Sequence, residues 1–485
     1  VRLNIRGVPM GWAGVQGLRA GLVELREAGV LILVHFDVAD DRCLYLAGLA
    51  DQVWMPPGGE VVLTGIGSQL PFYGPALERI GIKVSIHSAG VYKSMGEPYT
   101  RAFPTVANRE ALNTLLDDLD AQIATTIAED RQLKLSVVRS LQVESPLSAE
   151  QAREHELIDR VGYADEMEEA IEEVLGGSPR VVSQTRYSRL TRLTDLLGDM
   201  GRKRARVAVV HLDGPIVSKR PRVGRAKSVI ASDDVVPALD ALIDHPAIKA
   251  VVLVINSPGG SALASDLIAR SVIRLNEKKP VVVSMEGVAA SGGYYIAAPA
   301  REILANPGTI TGSIGVVGGK VVLGPGLAKW GIHAEPIGPS RDGGFHGIWT
   351  DFDEDQVRRY RASLRRVYER FLAVCAAGRN RTRDEVHAVA QGRVWTGTQA
   401  VENGLVDQLG GVDAAVQRAQ SLAEIADQPV RRLVMSFEAS RFAALSAMMG
   451  GGATIQTHPD ALDAALATLG PAGWLPRLIR QAPTE

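Results

Sequence analysis

A serine stands at residue 291 in the run Val288-Ala289-Ala290-Ser291-Gly292-Gly293, between an apolar stretch of strand character, Val281 to Met285, and an apolar stretch of helical character that follows the glycines. Such a junction sets a hydroxyl at a helix N-terminus. Unpaired backbone N–H groups and the helix dipole favour negative charge there, as a nucleophilic serine and the oxyanion it generates require. Small residues at the same place would also simply let a helix pack tightly on a sheet, and a glycine-flanked serine alone leaves both readings open. A second junction lies upstream: Ser257-Pro258-Gly259-Gly260 follows the apolar run Lys249 to Ile255 and precedes a helix expected to begin near Ser261. Glycines in that position allow backbone N–H groups to point into a cleft and serve an oxyanion. A third small-residue turn, Thr311 to Val316 with Ser313 at its centre, completes an ordered set.

The elements that must carry these turns belong to a chain of 485 residues with 46% apolar and 22% charged residues, long enough for two to four domains with a sizeable core. A net charge of -2 gives no reason to expect nucleic acid as a partner. The basic runs Arg202 to Arg206 and Lys219 to Lys227 read as a solvated surface beside a linker. The two cysteines, Cys43 and Cys375, lie far apart and read as small core residues, and no His/Cys/Asp cluster has metal-ligand spacing. No glycine-rich loop ends in the Lys-Ser/Thr pair of a phosphate cradle, and no cofactor is expected. No run approaches the ~20 apolar residues of a membrane helix. The longest, Val30 to Phe36, has strand length, and no secretory signal is visible.

The chain repeats itself at an offset of 250 residues from Val1 to about Ile82. Val1 to Ile5 falls on Val251 to Ile255, Val38 to Ala47 on Val288 to Ala297, and Gly74 to Ile82 on Gly324 to Ile332. Later segments also correspond: Thr105 to Ala128 and Asp353 to Ala377 both read as long amphipathic helices, and Pro146 to Gly162 resembles Val394 to Gly410. In the second copy, Arg206 to Ala250 precedes the matching point and reads as a strand, a turn, a helix over Asp233 to Ile243 and the start of another strand. The first copy has no counterpart of this stretch. The expectation is that the chain begins inside its first domain, with about 45 residues of that domain missing and any membrane anchor upstream of Val1. Short β-rich runs alternating with helices imply an α/β class with largely parallel pairing. The expected division is a first repeat over 1–175, a connector over 176–205, a second repeat over 206–428 and a tail over 429–485 to which the sequence assigns no role.

The ordered segments Ile248 to Asp266, Lys279 to Ala297 and Ala305 to Val316, together with Gly90 to Arg101 in the first copy, resemble the signal peptide peptidase A, or protease IV, family of bacterial serine peptidases in its long, duplicated form. The resemblance runs from Val1 to about Ala426. It implies tandem Clp protease/crotonase-like domains, with Ser291 as nucleophile and Lys93, in Tyr92-Lys93-Ser94, as general base. Ser313 matches a serine that orients the lysine, although it could equally be a turn residue. The resemblance also implies short apolar peptides such as cleaved signal peptides as substrates, a homotetramer, and association with the bacterial membrane or envelope.

The repeat supports the pairing independently. The position 250 residues after Lys93 is Gly343, in a segment without lysine, and the position 250 residues before Ser291 is Asp41, read as a relic at a domain interface. Each copy is therefore expected to hold half of a Ser-Lys dyad. A lysine serves as base only when unprotonated, whereas its free pKa is near ~10.4, so Lys93 is expected to be buried beside Ser291. The backbone N–H groups of Gly292 and Gly259 are the expected oxyanion donors. A Ser-His-Asp enzyme would instead need His333 or His346, and both lie outside the motif segments. Two alternatives share the fold: an acyl-CoA enzyme of the crotonase type, which stabilises an enolate without a nucleophile, and a non-catalytic scaffold.

Overall fold

The computed structural model describes residues 1–5, 7–175, 177, 182, 206–220, 228–335, 342, 344–426 and 431–436. The expected connector lies outside them except for Gly177 and Val182, as does the tail beyond Ser436. The chain is α/β, as its alternating pattern requires, and divides into two compact units. Val1–Gly67 and Leu116–Ala205 form the first; Ser68–Leu115 and Arg206–Glu485 form the second. The sequence repeat and the spatial division therefore differ: the stretch that carries Lys93 belongs by packing to the unit that carries Ser291.

The first unit is built on parallel strands Arg2–Ile5, Leu33–Phe36, Gln52–Met55 and Arg160–Val161, in that spatial order. Its core joins Ile32, Val34, Phe36, Leu49, Met55 and Leu63 to Ile123, Ile127 and Leu141 from the helices. The second unit has a larger sheet, ordered Val394–Thr396, Ile310–Gly312, Val281–Ala290, Ile248–Ser257, Arg206–Asp213 and Arg431–Ser436. Every pairing along it is parallel except that of Val394–Thr396 with Ile310–Gly312. Helices cover its strands on both faces, which is why Val251 to Ile255 and Val281 to Val283 are apolar without alternation and buried.

Val281–Ala290 is longer than the apolar run that announces it, because it serves two neighbours in succession. Val282 to Met285 pairs with Glu302–Ala305, and Val288 to Ala290 pairs with Ile310–Gly312. The helices start where their caps dictate. Ser261 Oγ accepts the Ala264 amide at the head of Ala262–Lys278, and Asp353 with Gln356 forms a capping box for Glu354–Gly378.

Besides the sheet, the second unit contains an antiparallel ribbon, Lys83–Ala89 against Val316–Val322, with Ala89 opposite Val316. One strand comes from each sequence copy, and this pairing draws the lysine-bearing stretch into the second unit. Gly319 is the tightest point of the ribbon: a Cβ there would lie 2.1 Å from the Ser85 carbonyl oxygen and 2.9 Å from Ile86 Cα, both backbone atoms that cannot swing aside. Gly319→Ala is expected to destabilise the chain by ~2 kcal/mol or more. Gly344→Ala, whose added methyl meets nothing within 4 Å, is expected to leave the melting temperature almost unchanged. Thermal melts of the two variants check the difference.

Candidate active site

Ser291 is placed by the end of its strand. Ala290 is in register with Gly312, and the Ser291 amide donates to the Gly312 carbonyl at 2.9 Å. The backbone then turns sharply, with φ 54° and ψ −119° at Ser291, and enters the helix Gly292–Ala297. A left-handed conformation at a non-glycine residue costs ~1–3 kcal/mol and persists only where its surroundings fix it. Here the strand fixes one side, and on the other the Tyr295 amide donates to the Ser291 carbonyl at 2.9 Å.

The flanking glycines are packing requirements as well as candidate donors. A Cβ at Gly259, where φ is +99°, would lie 2.6 Å from the Gly292 nitrogen and 2.9 Å from Ser291 Cβ. A Cβ at Gly292 would lie 2.5 Å from Ser265 Oγ. Gly292 is the first residue of its helix, so its N–H has no intrahelical acceptor. The Gly259 N–H donates at 3.1 Å to Ser257 Oγ, a fully buried side chain.

Lys93 arrives from the ribbon. Because Ala89 pairs with Val316 in antiparallel sense, the chain leaving Ala89 and the chain entering Val316 meet at one end of the ribbon, which brings Lys93 to Ser313. Lys93 Nζ lies 3.1 Å from Ser291 Oγ, and donates to the Ser313 carbonyl and to Ser313 Oγ, each at 2.9 Å. Only 9% of Lys93 is exposed, and burial pushes its amine down from 10.5 to about 7. Ser313, like Ser291, is left-handed, at φ 50°, and its amide donates to the Arg393 carbonyl at 2.7 Å.

Gln391-Gly392-Arg393 forms the other wall, and the reading of the sequence did not single it out. The Tyr92 amide donates to the Gln391 carbonyl at 2.9 Å. A Cβ at Gly392, at φ +83°, would lie 2.6 Å from Lys93 Cβ. A signal was available: these three residues immediately precede Val394 to Gly410, where the first copy has Val143-Glu144-Ser145 before its matching segment.

The remaining candidates lie elsewhere. Asp41 is buried in the first unit, where its carboxylate accepts the Gly65 and Thr64 amides at 2.9 and 3.3 Å. Burial raises its pKa, against the lowering effect of those amides. The His346 ring packs on Phe345 at 4.8 Å, and among the described residues no histidine bonds to Ser291. Nor do the described residues contain a group of three or more His, Cys, Asp or Glu side chains able to hold a metal ion, or a helix long and apolar enough to cross a membrane.

Residues 11–176 and 273–426 match the profile of Peptidase family S49. The chain belongs to this family. The S49 chain is 30% identical to the chloroplastic serine protease SPPA of Arabidopsis thaliana over 91% of its own length and 65% of that protein's. It is 31% identical to Protease 4 of Salmonella typhi over 83% of its own length and 66% of that protein's, so it spans about two thirds of these curated relatives. A putative protease of Synechocystis is 37% identical over 42% of the S49 chain and 76% of that protein.

A buried amine of lowered pKa destabilises the fold that holds it. Below pH 7 both folded and unfolded chains carry the proton, and the whole penalty applies. Between about 7 and 10.5 only the unfolded chain holds it, so the penalty shrinks as pH rises and vanishes above 10.5. Lys93→Met is therefore expected to stabilise the chain by ~1–3 kcal/mol near neutral pH, after the loss of the bonds to Ser313. The gain should decline toward pH 10, which denaturant titrations at the two pH values measure.

Proposed function

We propose that this chain is a serine endopeptidase in which Ser291 is the nucleophile and Lys93 the general base. The observation that carries the reading is the 3.1 Å approach of a buried amine, lowered to about 7, to a hydroxyl at a strand-to-helix turn. A neutral amine has two N–H donors and one lone pair. The Ser313 carbonyl can only accept, so it takes one N–H, and Ser313 Oγ is positioned to accept the other. The lone pair is then left for the Ser291 hydroxyl proton, and Ser313 acts as the orienting residue.

Attack of Ser291 Oγ on a peptide carbonyl carbon would pass the hydroxyl proton to Lys93 and place a negative charge on the carbonyl oxygen. The Gly292 N–H is the first proposed donor to that oxygen. The Gly259 N–H is the second; it would share or exchange its bond to Ser257 Oγ. As the tetrahedral adduct collapses, Lys93 returns the proton to the leaving amine, and Ser291 keeps the acyl group as an ester. Water, deprotonated by Lys93, then attacks the ester and restores the hydroxyl.

Short apolar peptides such as cleaved signal peptides are the proposed substrates. Exposed apolar side chains close to the dyad in sequence support this: Val91 and Met95 flank Lys93, and Leu263 and Leu267 lie on the helix that follows Gly259. The names of the Arabidopsis and Salmonella relatives support a protease in general. A homotetramer of chains with two crotonase-like repeats, 1–175 and 206–428, at the bacterial membrane or envelope completes the proposal.

A fluorophosphonate probe should label wild-type chain at Ser291 and leave Ser291→Ala unlabelled. Lys93→Ala is expected to lower peptide hydrolysis by ~10³-fold or more. Wild-type kcat/KM should rise with pH through a midpoint near 7, the pKa of the base. Full hydrolysis by a folded Lys93→Ala chain would refute the dyad, and absence of any label at Ser291 would favour an enolate-stabilising enzyme.

A further inference from the structure

Arg393 touches both the residue that holds the lysine amine, Ser313, and the lysine's chain neighbour, Tyr92. Its carbonyl accepts the Ser313 amide at 2.7 Å, so its backbone fixes the residue whose carbonyl and hydroxyl hold Lys93 Nζ. Its side chain reaches the residue next to the lysine: the guanidinium carbon lies 4.9 Å from the centre of the Tyr92 ring and 4.6 Å from that of Trp395. The same guanidinium pairs with Glu110 at 2.8 Å and approaches Tyr92 Oη at 3.5 Å and Thr114 Oγ1 at 3.4 Å. The Arg393 side chain is 18% exposed against 49% for Glu110, which places the cation between the rings and its anion at the rim. A planar cation stacked on aromatic faces and bonded at its edges is held in one orientation, and it holds its neighbours in turn.

We infer that Arg393 is a positioning residue for the general base, clamping Tyr92 through its guanidinium and Ser313 through its carbonyl so that Lys93 stays enclosed beside Ser291. The inference rests on the peptidase reading only for the use made of the amine; the clamp itself is a matter of packing. Among the described residues, the groups bonded to Lys93 Nζ are the hydroxyls of Ser291 and Ser313 and the Ser313 carbonyl, all uncharged. Among the charged groups of the adjoining segments, Arg393 and Glu110 are paired with each other, and Glu97 accepts from Thr105 and Asn108. Burial alone lowers the lysine, so loosening the Tyr92 segment would admit water and let the amine return toward its ordinary value.

The experiment follows two titrations in the 485-residue chain: the pH dependence of Ser291 labelling by a fluorophosphonate, and that of Lys93 acetylation by a small acetylating reagent, quantified by mass spectrometry. In Arg393→Met the Lys93 midpoint is expected to rise by about one unit or more, with labelling at pH 7 slowed about fivefold or more. Arg393→Lys should recover part of this, since it keeps the charge opposite Glu110 and loses the planar stacking. Glu110→Gln, at a half-exposed position that folding tolerates, should shift both titrations in the same direction by a smaller amount, about two- to threefold in rate, and serves if Arg393→Met does not fold. A purely structural role would lower the melting temperature and leave both midpoints at their wild-type values. Folded variants with wild-type midpoints would overturn the inference. Wild-type chain unlabelled at Ser291 at every pH would instead overturn the peptidase reading, and the Lys93 titration would then decide the role of Arg393 alone.

Discussion

A lysine amine is held near neutrality only where water is kept from it, and the second unit encloses Lys93 in that way. Lys93 is buried, and among the described residues no carboxylate bonds to its amine, whose partners are three uncharged oxygens from Ser291 and Ser313. A carboxylate in their place would favour the ammonium and hold the pKa high. Hydroxyl and carbonyl oxygens satisfy the N–H groups with much less bias toward the charged form. This choice of partners separates an amine that can accept a proton from one that merely pairs in a salt bridge.

Enclosing a lysine this closely requires that backbone segments touch, and touching requires glycine. Gly392 lies against Lys93, Gly259 against Gly292 and Ser291, and Gly319 against the opposite ribbon strand, at separations where a Cβ would overlap backbone or Cβ atoms. Gly259 and Gly392 also have positive φ, which most side chains resist. The conformational strain at Ser291 and Ser313 belongs to the same geometry. Both hydroxyl residues sit in the left-handed region, each with its amide bonded across to another segment, so the polar groups around the amine are anchored through their own backbones.

Ser291, Gly292 and Gly259 could be singled out in the sequence because each stands at a strand-to-helix junction, and such junctions leave a local pattern of apolar run, small residues and helix former. The α/β class was legible for the same reason. Lys93 was legible only through the repeat and the family resemblance, since nothing within its own segment distinguishes it from a surface lysine. The ribbon that delivers it was not legible at all. Lys83–Ala89 and Val316–Val322 come from different copies, and pairing between strands so distant in the chain depends on tertiary packing that no local pattern records. The three residues at 391–393 escaped for a related reason: their role is to touch Lys93 and Tyr92, and the contact exists only once the ribbon has formed.

The two copies of the strand-to-helix junction give their polar side chains different partners. At position 41 the first copy has a carboxylate whose charge, when present, is met by the Thr64 and Gly65 amides, so it is bound as part of the fold. At the corresponding position 291 the second copy has a hydroxyl, neutral at rest, bonded to an amine rather than to amides. A group already satisfied by fixed donors has little to gain from a new partner. In the proposed reaction the hydroxyl beside Lys93 has much to gain, because its proton has somewhere to go and the charge it then releases appears only during that reaction. Asp41 begins its helix without a positive φ, whereas Ser291 precedes its helix at φ 54°, so the first copy holds a side chain already met by amides and the second, in the proposed reaction, a hydroxyl whose charge is made only when its proton leaves.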